Sequence, residues 1–588
     1  MKRNPLGSIL TSLRFNLVHI ISIFILFTGV LLFFSLYPQI AKGENLTYSS
    51  FPLMGVFEIH FLVDRLSLGF GILVSSMYLF VTIYSVSYIQ THLLKYYSLL
   101  TLNFVSMLGL ILARDLLGFY IFFEMVSFSA YFLIIHSRER EALDAGYKYI
   151  VMMLVGGLFI LTAMMVLSIT PEDRGDWSGW AGICFSIGCL LKAGAFPFHT
   201  WLPDAHPAAP SPISALLSGT MIKVGVYGLV RAFFYPTFLG EVSEENRVFF
   251  FESLRSLSQS VSGMNQWVVS PASLLMFTGV LSMVIGVSLA LIQKDLKKLL
   301  AYHSVSQIGY ILLGIGIGGY GLAGGLLHIF SHAIFKGLLF LAVGAVIFGT
   351  GIRKIDLLGG LWRKMPVTTF TCVIAALSIS GVPLTSGYAS KGIIFAGLKG
   401  NLTLQIIFIL TSAGTCASFL KLVRHTFFGK PNSPLSDVKE VSRSMYVPMI
   451  FLALGSFMLG IFPAFSLNFL LGSFAPKPHL WTLPHIFEAL LSLGIGFALY
   501  FFLLRIGVFG FNHHKDTRFK AVTPKFLGRG HMLGYLSVDR FYNYIAQGVF
   551  ALCTKLEKTH PRSLSVYIQM TISFLVIIIF TYLILLEK

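Results

Sequence analysis

Glu124, Lys192, Lys223, His328, His332, Lys336 and Lys391 all sit inside long apolar runs. Glu124 lies in "FYIFFEMVSFSAYFLII", Lys192 in "GICFSIGCLLKAGAF" and Lys223 in "SGTMIKVGVYGL". Both histidines and Lys336 share "GLLHIFSHAIFKGLLFLAVGAV", and Lys391 lies in "SISGVPLTSGYASKGIIF". A charge at the centre of a membrane helix costs about 2.5–3.5 kcal/mol even on the lenient insertion scale, so such residues turn inward, pair and mark ion paths. Carboxylate, ammonium and imidazole groups share one chemistry, the uptake and release of protons. A desolvated lysine holds its proton less firmly than one in water, and a nearby carboxylate restores the charge. An element that brings Glu124 toward Lys192, or moves it away, would load or unload a proton. That is pump or antiporter chemistry, and no catalytic residue is assigned.

Each group also has a plainer reading. An isolated Glu–Lys pair can simply pin two helices together, and Lys336 can pair with a neighbour. His328 and His332, four residues apart, share one helix face, which would also suit a metal. No third ligand or carboxylate lies nearby in sequence, so no metal site is expected. The adjacent His513 and His514, in a basic loop, read as solvated.

The elements that must position these groups are interrupted where the chemistry is. In "KAGAFPFHTWLPDAHPAAPSPISALLSGTMIK" (192–223), Pro197 and Pro203 cannot donate to the preceding turn, so the helix that carries Lys192 must break. Non-helical backbone at membrane depth is tolerated only where it lines a buried or hydrated cavity. Water is therefore expected beside Lys192, with His199, Asp204 and His206 in or just beyond the break. "SGVPLTSG", with Gly381, Pro383 and Gly387, repeats the device before Lys391. Two interrupted helices, each with a lysine, point to two half-channels.

Composition fits this picture. The chain of 588 residues is 55% hydrophobic and 12% charged, with a mean hydropathy of +0.79. About 15 apolar windows of spanning length recur, centred near residues 26, 78, 105, 125, 158, 188, 221, 280, 307, 335, 378, 414, 459, 495 and 576. The first follows a basic start, is too long for a signal peptide and lacks a cleavage site. The net charge of +18 reads as the positive-inside bias of a polytopic protein, not as nucleic-acid affinity. Lys and Arg cluster in alternate loops, which predicts a cytoplasmic N-terminus and an outside C-terminus, the outside loop 232–266 with Arg247 and Arg255 being the richest exception. The five cysteines show no CxxC pair and no ligand spacing. With no Gly-rich nucleotide loop either, no cofactor is expected in this chain.

A faint repeat organises the spans. "VSFSAYFLI" (126–134) recurs as "VSQIGYILL" (305–313), which sets Glu124 opposite His303, and "GTMIKVGVYGLVRAFF" (219–234) is echoed by "GTCASFLKLVRHTFF" (414–428). Five spans separate each pair, and an odd number makes the two units inverted in the membrane. The expected fold is an all-α polytopic membrane protein with two inverted five-helix repeats, each containing a broken helix. The expected segments are N-terminal spans over 1–92, repeats over 93–235 and 267–428, C-terminal spans over 429–505, and a basic cytoplasmic segment with a last span over 506–588. Within that segment 533–558 suits a surface helix, although a plain loop fits nearly as well.

At these residues the chain resembles a known superfamily. "FPFHTWLPDAHPAAPSPISALLSGTMIKVGVYGLVR", "KDLKKLLAYHSVSQIGYILLGIG", "HIFSHAIFKGLLFLAVGAV" and "GVPLTSGYASKGIIF" are similar, in the same order, to the antiporter-like membrane subunits of respiratory complex I, of Mrp cation/proton antiporters and of group 4 membrane-bound hydrogenases. The likeness covers about residues 60–430. The first string looks most like the large antiporter-like subunit of formate-hydrogenlyase-type hydrogenases and the D-type Mrp subunit. The resemblance implies a hydrated polar axis in which Glu124 is the family's glutamate, Lys192 the lysine of the first broken helix and Lys223 the connecting lysine. It further implies that His332 with His328 are the central histidines, and that Lys391 is the lysine of the second broken helix. His303, Lys336, His199 and Asp204 are secondary candidates.

The resemblance implies a proton-translocating subunit, with sodium as the alternative ion, in the cytoplasmic membrane beside other membrane subunits. An NADH:quinone oxidoreductase or a membrane-bound hydrogenase would drive it. A non-redox Mrp-type antiporter and a carbon-uptake complex remain open alternatives. A stand-alone transporter would instead place substrate-binding side chains at the breaks, and a scaffold would use the buried charges for structure alone.

Overall fold

The computed structural model describes residues 5–49, 59–168, 177–234, 271–430, 437–472, 475–476 and 480–509. The expected span near 576, the surface helix over 533–558, His513, His514, Arg247 and Arg255 lie outside the described residues. The chain opens with α1 (Pro5–Ala41), a two-stranded antiparallel hairpin of β1 (Leu46–Ser49) and β2 (His60–Val63), and α2 (Arg65–Tyr88). The first set of repeat helices follows as α3 (Leu93–Leu112), α4 (Leu116–Ile134), α5 (Arg140–Ser168), α6 (Trp177–Ala193), α7 (Leu202–Ala208), α8 (Ser211–Leu216) and α9 (Lys223–Phe234). The second comprises α10 (Pro271–Ile292), α11 (Leu296–Ile317), α12 (Gly319–Thr350), α13 (Pro366–Ser380), α14 (Ser386–Gly397) and α15 (Leu402–Val423). The described part closes with α16 (Arg443–Ile461), α17 (Pro463–Leu471) and α18 (Leu483–Arg505).

Among the described residues, 13 helices are long and apolar enough to cross a membrane. Every expected span centre up to residue 495 falls in a helix, the one near 378 in the longer of two half-helices, α13 and α14. The chain is a polytopic membrane protein, helical almost throughout. The correspondence expected from the sequence holds element by element: α4 matches α11, α5 matches α12, the broken pair α6/α7 matches α13/α14, and α8/α9 matches α15. Matching elements lie five crossings apart, so the two repeats run in opposite directions.

Polar residues fix the helix starts. Asp115 caps α4 by accepting from the Gly118 amide at 2.7 Å and from the His60 amide at 2.8 Å, which ties the hairpin to the first repeat. Asp295 caps α11 by accepting from Lys297 N and Lys298 N at 2.8 and 3.0 Å. Gly351, with φ of 70°, ends α12 in the left-handed conformation that lacks a Cβ penalty.

Asp64, which caps α2, does more. It forms a capping box with Ser67, and its two carboxylate oxygens also accept from Arg231 of α9 at 2.5 and 2.8 Å. Arg231 donates in turn to the Tyr227 hydroxyl at 2.7 Å, and Tyr227 donates to the Ile111 carbonyl at the end of α3. One buried ion pair thus joins α2, α3 and α9. Removing one partner from such a pair leaves an uncompensated charge and costs about 3–5 kcal/mol. Asp64→Asn should therefore lower the thermal unfolding midpoint in detergent, with Arg231 left stranded. Burial alone would push the Asp64 carboxyl up, but Arg231 and the Ser67 hydrogen bonds hold it below its ordinary value of 3.8. Its stabilisation is thus complete above that value and lost as pH falls through the lower folded one. The gap between wild type and Asp64→Asn should close over that acid range.

Candidate functional site

α6 ends at Ala193, and Gly194, with φ of 67°, turns the chain out of the helix. Phe198–Trp201 form a short tight turn before α7 restarts the span. Pro197 lies in this break as expected. Pro203 does not break a helix: it occupies the first turn of α7, where a missing N–H costs nothing. Lys192, in the last turn of α6, is buried; its Nζ donates to Ser127 Oγ of α4 at 2.7 Å and lies 4.8 Å above the Phe123 ring.

Glu124 stands on the same helix as Ser127. The two charges interact electrostatically, yet no direct ion pair joins them. The Glu124 carboxylate has one buried oxygen without a hydrogen-bonding partner, and it faces Gly157 of α5, where a Cβ would collide with it. The Lys192 ammonium is held by the Ser127 hydroxyl, which itself donates to the Phe123 carbonyl, so Glu124 acts on the lysine through space. His199 is buried in the break beside Phe196, with ring centroids 5.6 Å apart. Asp204 does not join the buried axis: it accepts from Lys148 of α5 at 2.9 Å, and its side chain is 42% exposed.

The next span carries a second irregularity. Residues Leu217–Met221 form a π-helical turn between α8 and α9. Such a bulge misaligns backbone carbonyls and is frequent at functional sites. The buried Lys223 uses one of them, donating to the Ser218 carbonyl, while Ser218 Oγ meets Ser304 Oγ of α11 at 2.8 Å.

From here α12, 32 residues long and unbroken, carries the line onward. His206 of α7 stacks on Phe340 of α12, with centroids 4.5 Å apart. Lys336 donates to the Leu300 carbonyl of α11 at 2.5 Å. His332 and His328 lie one turn apart with nearly parallel rings, 6.3 Å between centroids. His328 bonds Ser390 Oγ through Nδ1 at 2.8 Å and Gln307 Oε1 through Nε2 at 3.1 Å. The ring nitrogens of His206, His303 and His332 are buried without a protein partner among the described residues. Buried imidazoles in that condition call for bridging water. No group of three or more His, Cys, Asp or Glu side chains converges on a common point among the described residues.

The second break mirrors the first in purpose. α13 ends at Ser380, Gly381 turns out with φ of 83°, and Pro383 and Leu384 complete the interruption, Leu384 with an unusual φ of 75°. The buried Lys391 of α14 donates to the Ile379 carbonyl at 2.8 Å, one of the carbonyls that the end of α13 leaves unused. Its Nζ lies 4.8 Å above the Tyr310 ring, and the Tyr310 hydroxyl meets Thr411 and Ser412 at 2.8 and 3.1 Å. Gly387 belongs to α14, not to the break; a Cβ there would strike the Ser378 carbonyl, so it lets the two halves meet.

Lys192, Lys223, His332, His328 and Lys391 are all buried and Glu124 is half-buried, and the six are distributed across both repeats. The sequence reading passed over several participants. Lys297 donates to the Ala209 carbonyl at 2.8 Å, and Lys421 donates to the Leu291 and Gln293 carbonyls at 2.6 and 2.8 Å. Lys297 reads as one of three loop lysines, whereas Lys421 had a usable signal, its place inside the apolar helix α15. The Asp64–Arg231 pair was signalled only by an arginine at the end of an apolar run.

Fold and site together define a class: polytopic helical membrane proteins with inverted repeats, broken helices and a buried line of proton-binding groups. The family described as "NADH:quinone oxidoreductase/Mrp antiporter, TM" matches residues 113–267 and 254–419, together more than half of the chain. The chain belongs to this family. It is 28% identical over 456 residues to Hydrogenase-4 component B of Escherichia coli (strain K12), covering 71% of the chain and 64% of that protein. It is 32% identical over 452 residues to Na(+)/H(+) antiporter subunit A1 of Staphylococcus aureus (strain JH9), covering 69% of the chain and 53% of that protein. The matched region therefore spans under two thirds of these relatives' own length, and the Mrp relative is an A subunit, not the D-type subunit that the motif string resembles.

Among solved structures, a chain of the membrane-bound sulfane sulfur reductase (MBS), an archaeal respiratory membrane complex, aligns with a TM-score of 0.70 at 26% identity, covering 94% of each chain. A chain of the Mrp complex from Dietzia sp. DQ12-45-1b shares the fold, with a TM-score of 0.67 at 20% identity over 82% of this chain and 96% of that one.

The close approach at the second break gives a direct test. Gly387→Ala should destabilise the protein by about 1–3 kcal/mol, the usual cost of an added methyl group in a packed interior, read as a lower unfolding midpoint in detergent.

Proposed function

We propose that this chain is a proton-translocating subunit of a multisubunit complex in the cytoplasmic membrane, driven by redox chemistry in partner subunits. The observation that carries the reading is the set of buried Lys192, Lys223, His332, His328 and Lys391, with the half-buried Glu124, held at two helix breaks, a π-turn and the long helix α12. Lysine and histidine exchange protons and do not bind sodium, so the transported ion is the proton. The likeness to a chain of a respiratory complex along nearly its whole length favours a redox-driven assembly. The Mrp relatives support a second reading, a subunit of a cation/proton antiporter.

In this proposal the N-terminus is cytoplasmic, as the loop charges argue. Counting crossings then places the Lys148–Asp204 end of the first break toward the cytoplasm and the start of α18 toward the outside. Protons pass from the first break to Lys223, along α12 and on to Lys391. Glu124 sets the charge of Lys192 as the distance between the two groups changes.

The test uses the tagged full-length chain, purified with its co-purifying subunits and reconstituted into liposomes that hold a pH-sensitive dye. A potassium diffusion potential then drives proton uptake. Lys192→Ala and Lys391→Ala should each slow uptake by about tenfold or more, the scale of losing a positioned proton-transfer group, with subunit composition unchanged. Wild-type uptake in both variants would leave the buried charges a purely structural role.

A further inference from the structure

Lys391 opens onto a cavity that the line of groups described above does not use. The cavity lies between α14, α15 and α18 and is lined by Lys391, Tyr388, Ser412, His485, Glu488 and Ser492, among others. It offers about 50 Å³ to the centres of water-sized spheres, room for roughly three or four waters at ~10–15 Å³ each. Glu488, with its side chain partly exposed, brings the cavity to the protein surface. On the α18 wall His485 Nδ1 and Glu488 Oε2 lie 3.2 Å apart, their side chains 13% and 32% exposed.

The placement of this pair is unusual. α18 lies outside both repeats, and apart from its last residue, Arg505, it is otherwise a mostly lipid-facing apolar helix. Glu488 lies in the second turn of α18, near the end of the span, and its side chain is 32% exposed, so the pair has access to the surface. The pair is not needed to hold α18 in place, because the helix packs along α15 through small and apolar residues, with Gly496 against Cys416. What the pair faces is the cavity and, across it, an ammonium group. The other titratable groups here are Tyr388, whose hydroxyl donates to the Leu480 carbonyl at 2.6 Å, and Cys416, whose thiol donates to the Leu493 carbonyl at 3.9 Å. Both are engaged with backbone, which leaves the imidazole–carboxylate pair as the group able to take a proton from water next to Lys391.

We propose that this cavity is a water-filled branch from Lys391 to the outer face, and that His485 and Glu488 are its terminal proton relay. The inference rests on the proton-translocation reading above and extends the path to a helix beyond the repeats. A proton leaving the Lys391 ammonium crosses the cavity water to the His485–Glu488 pair, which releases it to the outside; no other co-reactant is needed.

Two measurements on the full chain in its native complex test this. In the liposome assay, H485Q/E488Q should slow proton uptake by about tenfold, while H485Q with Glu488→Asp, which keeps a carboxylate, should recover part of the rate. In a chain whose cysteines are replaced by serine, Ala489→Cys, on the cavity wall, should react with a membrane-impermeant, positively charged methanethiosulfonate applied from the outside face only. Wild-type uptake in H485Q/E488Q alongside a dead Lys391→Ala would overturn the relay and leave the proposed function standing. Wild-type uptake in both would mean that the proposed function itself has failed. An unreactive Ala489→Cys would overturn the water-filled branch, and this readout decides the matter even if H485Q/E488Q does not assemble.

Discussion

The structure depends on one problem of solvation: a row of ammonium groups in hydrocarbon with almost no carboxylates to pair with. Its solution is backbone carbonyls. A regular helix has few to spare, because each carbonyl accepts from the amide four residues on; Lys336 shares one of these, the Leu300 carbonyl of α11. Interruptions release them. Lys391 takes the Ile379 carbonyl at the end of α13, and Lys223 takes the Ser218 carbonyl inside the π-turn. Lys297 takes the carbonyl at the cap of α7, and Lys421 takes carbonyls at the end of α10. The helix breaks are thus the solvent for the buried lysines as much as hinges. A carbonyl dipole also suits a proton carrier better than a carboxylate does. It satisfies the ammonium without the strong pairing that would fix the charge in place.

The same shortage of carboxylates makes the groups sense one another. Lys223 and Lys336 interact electrostatically, and His332 feels both. Two unit charges ~8 Å apart repel by about 2 kcal/mol at an effective dielectric of ~20. In the proposed path, a proton that arrives at one member would discourage occupancy of the next. Glu124 is the acidic member of the row, and Lys192 bonds the Ser127 hydroxyl and not its carboxylate. The neutral polar groups between stations, Gln307 and Ser390 around His328, keep the middle of the row wettable without adding charge.

Much of this was legible because membrane physics is unforgiving. A lysine in an apolar run has few explanations, and Pro197 or Gly381 next to it narrows them further, so the broken helices and the row of groups could be read directly. Pro203 was misread because proline has two opposite uses, breaking a helix interior and opening a first turn, and sequence alone does not show where the turn begins. Gly387 was misread in the same way, since glycine serves close approach as well as bending. Ser127 as the partner of Lys192 was invisible, because a serine in a membrane helix usually bonds its own backbone, and Ser127 does that too, through the Phe123 carbonyl at 2.8 Å. Asp64 and Arg231 are 167 residues apart, and only the fold brings them together.

The unbroken helix is as necessary as the broken ones. His328, His332 and Lys336 recur at intervals of four residues on α12, which puts them on one face with ~6 Å of rise per step. The 6.3 Å between the two imidazoles is that step. A kink within α12 would change the spacing at the one place where it has to be constant. The breaks lie in the neighbours of α12, in α6/α7 and α13/α14: His206 of α7 stacks on Phe340 and Ser390 of α14 bonds His328, so a shift at either break reaches the row. A rigid central helix between two interrupted ones is the arrangement that the proposed proton path requires.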